Sequence, residues 1–287
     1  MAAPACPSCG AELVGTFCHQ CGERALRERD KSLWDFLTQS LLTLAEADSG
    51  LRRSFSALFL KPGLLTKEYA EGRRVNYLKP IQLFLLANLC YFLVQPLTGY
   101  QGYNTQLDAQ VTRQIYSQTL GLGELVDRRI EAQGTTRESY TAAFNAKSEV
   151  LARTLIFTML PLFALILSLV FLEHKRAIDH LVFAVHYYSF DLIAIGCVFL
   201  LAWPWALEGV NLAMEGISPD NRVQVVSALL EVGPLLVMLP YLYLSTRRFY
   251  GIHKMRAAIS AAILTAGVLF TTFCYRAFLF FVTYAAI

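Results

Sequence analysis

Two cysteine pairs open the chain, Cys6-Pro-Ser-Cys9-Gly10 and Cys18-His-Gln-Cys21-Gly22. Each pair forms a turn whose backbone N–H groups point at sulfur, and the glycine after it adopts the positive φ that closes the turn. Four thiolates around one Zn2+ give a closed tetrahedral centre with no open coordination position. The chemistry expected of Cys6, Cys9, Cys18 and Cys21 is therefore structural metal binding. Two disulfides are the alternative, but a head in a reducing compartment keeps its thiols. Residues 1–22 contain no Lys or Arg, so this zinc ribbon has little means of neutralising phosphates, and no nucleic-acid partner is expected.

A second set of groups sits where water is scarce. The apolar run 177–205 carries Asp179, His180, His186, Tyr187 and Asp191, the next run carries Glu231, and the last carries Arg276. An ionisable group at mid-helix costs roughly 2.5–3.5 kcal/mol on insertion scales, so such residues face a protein interior or water. At about 100° per residue, Asp179 and His186 share one helix face while His180, Tyr187 and Asp191 share another. His180 and His186 point about 120° apart and are not a two-ligand metal pair of the i, i+4 kind. Counting inward from the far ends matches Arg276 to Glu231 in depth with Asp191 in reach, which predicts a buried cluster of the three. This set admits interhelical hydrogen bonding, a proton path along His180, Tyr187 and Asp191, or a metal shared with other helices.

The elements that must position these groups follow from the pattern of apolar runs. With 55% apolar and 16% charged residues the chain departs from a soluble profile. Runs near 81–98, 151–172, 177–205, 223–246 and 257–287 predict an all-α polytopic membrane helical bundle of about five transmembrane helices. The last is long enough to tilt or to run past the bilayer. Pro161 should kink the second run, and Gly233-Pro234 with Pro240 should kink or break the fourth. Lys and Arg concentrate on the side holding the N-terminus, which puts that end in the cytoplasm and the C-terminus outside. The first 30 residues lack the basic start and apolar core of a signal peptide, in keeping with that orientation.

Three regions result: the ribbon at 1–22, a charged linker with cytoplasmic juxtamembrane helices at 23–79, and the membrane domain at 80–287 with an external helical loop at 99–150. Within the second, an amphipathic pattern runs from Ser32 to Glu46. A short helix from Gly50 to Leu60 is stopped by Lys61-Pro62-Gly63, and another from Leu64 to Glu71 is ended by Gly72. Arg73, Arg74 and Lys79 then stand with Tyr69 and Tyr77 directly before the first span. That composition suits topological anchoring or anionic lipid headgroups, which attract cations by about 1 kcal/mol each. The external loop holds no cysteine, no Gly-rich phosphate loop and no nucleophile motif.

Four stretches together resemble an uncharacterised bacterial family of polytopic membrane proteins with an N-terminal four-cysteine zinc ribbon, a domain of unknown function. They are the head CPSCG with FCHQCG, RRSFSALFLKPGLLTKEYAEGRRVNYLKP from Arg52 to Pro80, IDHLVFAVHYYSF from Ile178 to Phe190, and RRFYG from Arg247 to Gly251. The family's third motif looks like Glu-His-Leu-Val-Phe-Ala-Leu-His-x-His; here Asp179 stands for the Glu and Tyr188 for the last His, which counts against a three-histidine metal site. The resemblance implies an inner-membrane location and gives no substrate, reaction or partner. The polar spans favour a small transporter or channel-like protein, with membrane lipids and a second copy of the chain as partners. A zinc-ribbon scaffold or sensor that recruits a protein or lipid is the alternative, ahead of an intramembrane enzyme acting on lipid.

Overall fold

The computed structural model describes residues 5–13, 15–23, 50–98, 103–112, 114–173, 176–194, 196, 205, 208 and 219–287, without the side chains of 115 and 219–232. The amphipathic pattern from Ser32, most of the connection between the third and fourth apolar runs, and the Glu231 side chain lie outside the described residues. Among the described residues the fold is helical, with one antiparallel bridge between Ala5 and Glu12 and no strand.

The basic end is built from α1 (Leu51–Leu60) and α2 (Leu64–Ala70). The Lys61-Pro62-Gly63 stop acts as the sequence predicts, because Gly63 takes φ +79 and turns the chain back. α3 (Pro80–Thr98) starts on a proline, whose missing N–H costs nothing in a first helical turn. Its Leu89, Leu93 and Leu97 recur every four residues and are 58%, 65% and 79% exposed, forming an exposed apolar stripe. α4 (Leu107–Thr112), α5 (Ile115–Thr119), α6 (Leu122–Gln133) and the first turns of α7 (Arg137–Leu155) form a cap at the opposite end. α7 runs through a 3-10 turn, Ile156–Thr158, into α8 (Met159–Val170). The predicted kink at Pro161 is this turn, placed just before the residue that cannot donate an i→i−4 bond.

α9 (Ala177–Ile193) is the centre: every one of its 17 residues except Ala177 and Leu181 is buried. It packs against α3 and α8 and, towards the basic end, against α2 and α1. α10 (Pro219–Tyr250) and α11 (Lys254–Ala285) form an antiparallel pair beside it. α10 continues as one helix through Pro234 and Pro240, so those prolines do not end it. Among the described residues, three helices are long and apolar enough to cross a membrane, Pro80–Leu97, Arg137–Val170 and Lys254–Ala285.

The far turns of α11 pack on the cap. Phe280 is fully buried in the cap cluster with Leu107, Tyr116, Val126 and Phe144, and Phe273, Ala277 and Tyr284 pack on the same cluster. The last turns of the predicted fifth run therefore serve as a wall of the cap, and Arg276 lies among them.

The α1–α2 turn is pressed onto α10. A Cβ on Gly63 would lie 2.5 Å from the Ser245 carbonyl oxygen and 2.8 Å from its Cα, and the Arg248 guanidinium donates to the Pro62 carbonyl at 2.7 Å. Gly134 also has positive φ, +61, but open space around it. Gly134→Ala should cost about 1 kcal/mol of backbone strain, and Gly63→Ala at least about 2 kcal/mol more, because the clash is with backbone that cannot rotate away. Thermal midpoints in detergent check this; equal loss in the two variants would mean that the turn does not bear on α10.

Candidate functional site

The head is assembled from two matching turns. Gly10 N–H donates to the Cys6 carbonyl and Gly22 N–H to the Cys18 carbonyl, each at 2.9 Å, with Gly10 and Gly22 at φ +79 and +74. The turns face each other so that Cys6 Sγ and Cys21 Sγ are 3.6 Å apart and Cys9 Sγ and Cys18 Sγ 3.5 Å apart. All four sulfurs lie within 4.8 Å of one another. A tetrahedral ion with about 2.3 Å bonds to sulfur needs sulfur spacings of about 3.8 Å, so the four cysteines fit a bound metal ion. Backbone N–H groups of Cys21 and Gln20 hold the Cys18 thiol down to about 6, favouring the thiolate that a metal requires. Among the described residues this is the one cluster of three or more His, Cys, Asp or Glu arranged to hold an ion.

Glu23 joins the head to the membrane domain. It lies one residue past the predicted end of the ribbon and is only 3% exposed. Its carbonyl accepts from Cys18 N–H at 2.7 Å, which makes it part of the second turn. Its carboxylate oxygen Oε2 accepts from the Ser8 hydroxyl at 2.7 Å and from the backbone N–H groups of Arg74 and Val75 at 2.8 and 3.0 Å. One oxygen thus binds the first turn of the head to the loop between α2 and α3. Charge-assisted bonds of this kind are roughly twice as strong as neutral ones.

The same loop carries the basic residues that the sequence marks for headgroups. Arg73 donates to both Glu68 oxygens at 2.7 Å and also bonds Glu71, whose carboxylates hold its pKa above the ordinary value. Arg74 lies over the Tyr69 ring, 4.1 Å from its centroid. Arg73, Arg74 and Lys79 line a cavity of about 20 Å³ that ends on His186. That volume holds about one water. Arg73, Arg74 and Lys79 thus share one cavity with His186, which ties the histidine to the basic end of the bundle.

Along α9 each polar group latches a different neighbour. Asp179 caps its own helix, accepting from Arg176 N–H at 3.3 Å and Arg176 Nε at 3.1 Å. His180 Nδ1 bonds the Tyr250 hydroxyl of α10 at 2.8 Å, and the two rings stack 5.7 Å apart. His186 Nδ1 bonds the Thr66 hydroxyl of α2 at 2.9 Å. Asp191 accepts from the Tyr103 hydroxyl in the segment after α3, with Tyr187 and Tyr188 beside the same carboxylate. The Tyr187 hydroxyl faces it without hydrogen-bond geometry. Burial first, and then the nearby Asp191, push the Tyr103 phenol well above its ordinary value, so it stays protonated and donates. Tyr91 accepts from Tyr103 N–H at 3.2 Å, and a Cβ on Gly196 would lie 2.1 Å from the Tyr91 ring.

His180 and His186 diverge as helical geometry requires. Arg276, in the cap-facing turns of α11, lies near Tyr116 and Tyr275; burial pushes Tyr116 up to about 12 and Arg276 pulls it the other way. Glu231 lies outside the described side chains, and what the structure describes around Asp191 is a set of tyrosines. Sequence reasoning missed Thr66, Tyr103, Tyr250 and the docking role of Glu23. The only signal for the last was an acidic residue directly after the second Cys-x-x-Cys-Gly.

Residues 48–92 match the model of a family described as a protein of unknown function, DUF3667. The match covers α1, α2, the basic loop and about the first two thirds of α3. Neither a curated protein nor a solved structure matches the chain. An uncharacterised family is therefore supported, through the segment that receives the head.

Tyr103→Phe leaves the buried Asp191 one donor short and should cost about 1–3 kcal/mol. In a double-mutant cycle with Asp191→Asn, the coupling should be at least about 1 kcal/mol. Additive losses in thermal unfolding would show that the two side chains do not meet.

Proposed function

We propose that the protein is a membrane-embedded scaffold or sensor whose zinc-loaded head is coupled to its membrane core. The observation that carries this is the Glu23 carboxylate, bonded at once to the head and to the amides of Arg74 and Val75. Zn2+ is the ion that four thiolates without redox chemistry suit best. Metal fixes the turn that contains the Cys18–Glu23 bond, the turn aims the carboxylate, and the carboxylate holds the loop. The loop leads back to α2, whose Thr66 bonds His186 on α9. A change at the head thus has a continuous route into the bundle.

The same observations favour this reading over transport. Of the expected proton path, Tyr187 lies beside Asp191, but His180 bonds Tyr250 of α10 while Asp191 bonds Tyr103 in the segment after α3. A chain of proton carriers along α9 would need them linked. In the full reading, α9 and α10 also cross the bilayer, giving five spans. The basic end faces the cytoplasm of a bacterial inner membrane, the C-terminus lies outside, and anionic lipid or a second copy of the chain completes the assembly.

Hydrogen exchange tests the coupling. Glu23→Gln, with metal content unchanged, should raise exchange at the amides of Arg74 and Val75 at least about tenfold, since each loses a charge-assisted bond. Cys18→Ser should do the same through loss of the turn. Unchanged protection in both variants would refute the coupling.

A further inference from the structure

Beside α1 lies a groove of about 500 Å³ that the coupling above does not use. Its lining includes Arg52, Arg53 and Lys61, with Ser56, Tyr77 and the apolar Leu64. Among the described residues, no acidic residue lines it. This distinguishes it from the neighbouring loop, where Glu68 and Glu71 take up Arg73. Arg52 and Ser56 are one helical turn apart and share a stripe of α1, and Lys61 extends that wall past the helix end. Arg53 donates to Asn76 Oδ1 at 3.0 Å, which fixes one guanidinium as part of the wall.

The surface around the groove is apolar where a soluble ligand would not need it to be. Leu60, adjacent to Lys61, is 76% exposed, and Leu51 and Val75 are 41% and 42% exposed. Cations with hydroxyls inside a groove and bare aliphatic side chains at its edge match a molecule that is anionic at one end and hydrocarbon at the other. The groove also lies at the basic end, beside Tyr77 and directly before α3, the depth at which headgroups meet a spanning helix.

We propose that this groove is a binding site for the phosphate-bearing headgroup of an anionic glycerophospholipid. Arg52 and Lys61 neutralise the phosphate, Ser56 and Tyr77 offer hydroxyl donors to it or to the glycerol, and Leu60 and Leu51 meet the acyl chains. The site stands apart from the metal head and does not depend on the scaffold reading.

The test uses the full chain in detergent, titrated with phosphatidylglycerol, phosphatidylcholine or inorganic phosphate, with bound lipid read by native mass spectrometry. Phosphatidylglycerol should bind, and the double variant Arg52→Gln/Lys61→Gln should weaken it by roughly tenfold or more, since each interfacial cation contributes about a kcal/mol. Phosphatidylcholine should bind weakly and alike in both proteins, and inorganic phosphate should not displace the lipid. Arg128→Gln, on the cap, should leave phosphatidylglycerol binding intact, and an unchanged thermal midpoint in detergent checks that the double variant is folded. Equal binding by wild type and double variant, an equal loss in Arg128→Gln, or displacement by inorganic phosphate would each overturn the proposal.

Discussion

Burying α9 on almost every side is the constraint on which the rest of the structure depends. An unpartnered polar group away from water costs about 1–3 kcal/mol, and α9 places Asp179, His180, His186 and Asp191 inside the bundle. The fold answers residue by residue. Arg176 closes the helix start on Asp179, α10 supplies Tyr250, α2 supplies Thr66, and the chain after α3 supplies Tyr103. Because these partners come from different parts of the sequence, the same bonds that satisfy α9 also fix where those parts lie. In an environment where apolar packing discriminates little between helices, such directional bonds set register.

The basic end shows the same economy at a larger scale. α1 and α2 do not merely rest on the bundle: the Gly63 turn meets Ser245 backbone, Arg248 holds the Pro62 carbonyl, and Phe59 reaches Phe190 with ring centroids 5.5 Å apart. On the other side, the loop after α2 receives Glu23 from the head. The segment that matches the uncharacterised family is thus the part with contacts in both directions. Its packing explains why its glycines and its tyrosines fall where they do, without appeal to a substrate.

Much of this was legible in local sequence. The Cys-x-x-Cys-Gly pairs, the Lys61-Pro62-Gly63 stop, the α1 and α2 boundaries and the break near Pro161 all rest on residues whose backbone preferences act within a few positions. The divergence of His180 and His186 also follows from helical angle alone. What could not be read were partners brought together by tertiary approach: Thr66 is 120 residues from His186, and Tyr103 is 88 from Asp191. An apolar run also carries no mark of where cap contacts begin, as around Arg276. Its neighbours Phe273, Ala277 and Phe280 are as apolar as lipid-facing residues, yet they pack on the cap.

The central claim is that the metal head and the membrane core form one mechanical unit through a single carboxylate. Thermal unfolding of the membrane domain, with and without a chelator, in wild type and Glu23→Gln, addresses it most directly. Metal removal should lower the wild-type midpoint by a few degrees, as a loss of about 1–2 kcal/mol does in a chain of this size. In Glu23→Gln, whose neutral amide oxygen can accept the same bonds only without their charge assistance, the same treatment should shift the membrane transition by clearly less. A chelator-induced shift of equal size in both proteins, or none in wild type, would contradict the account.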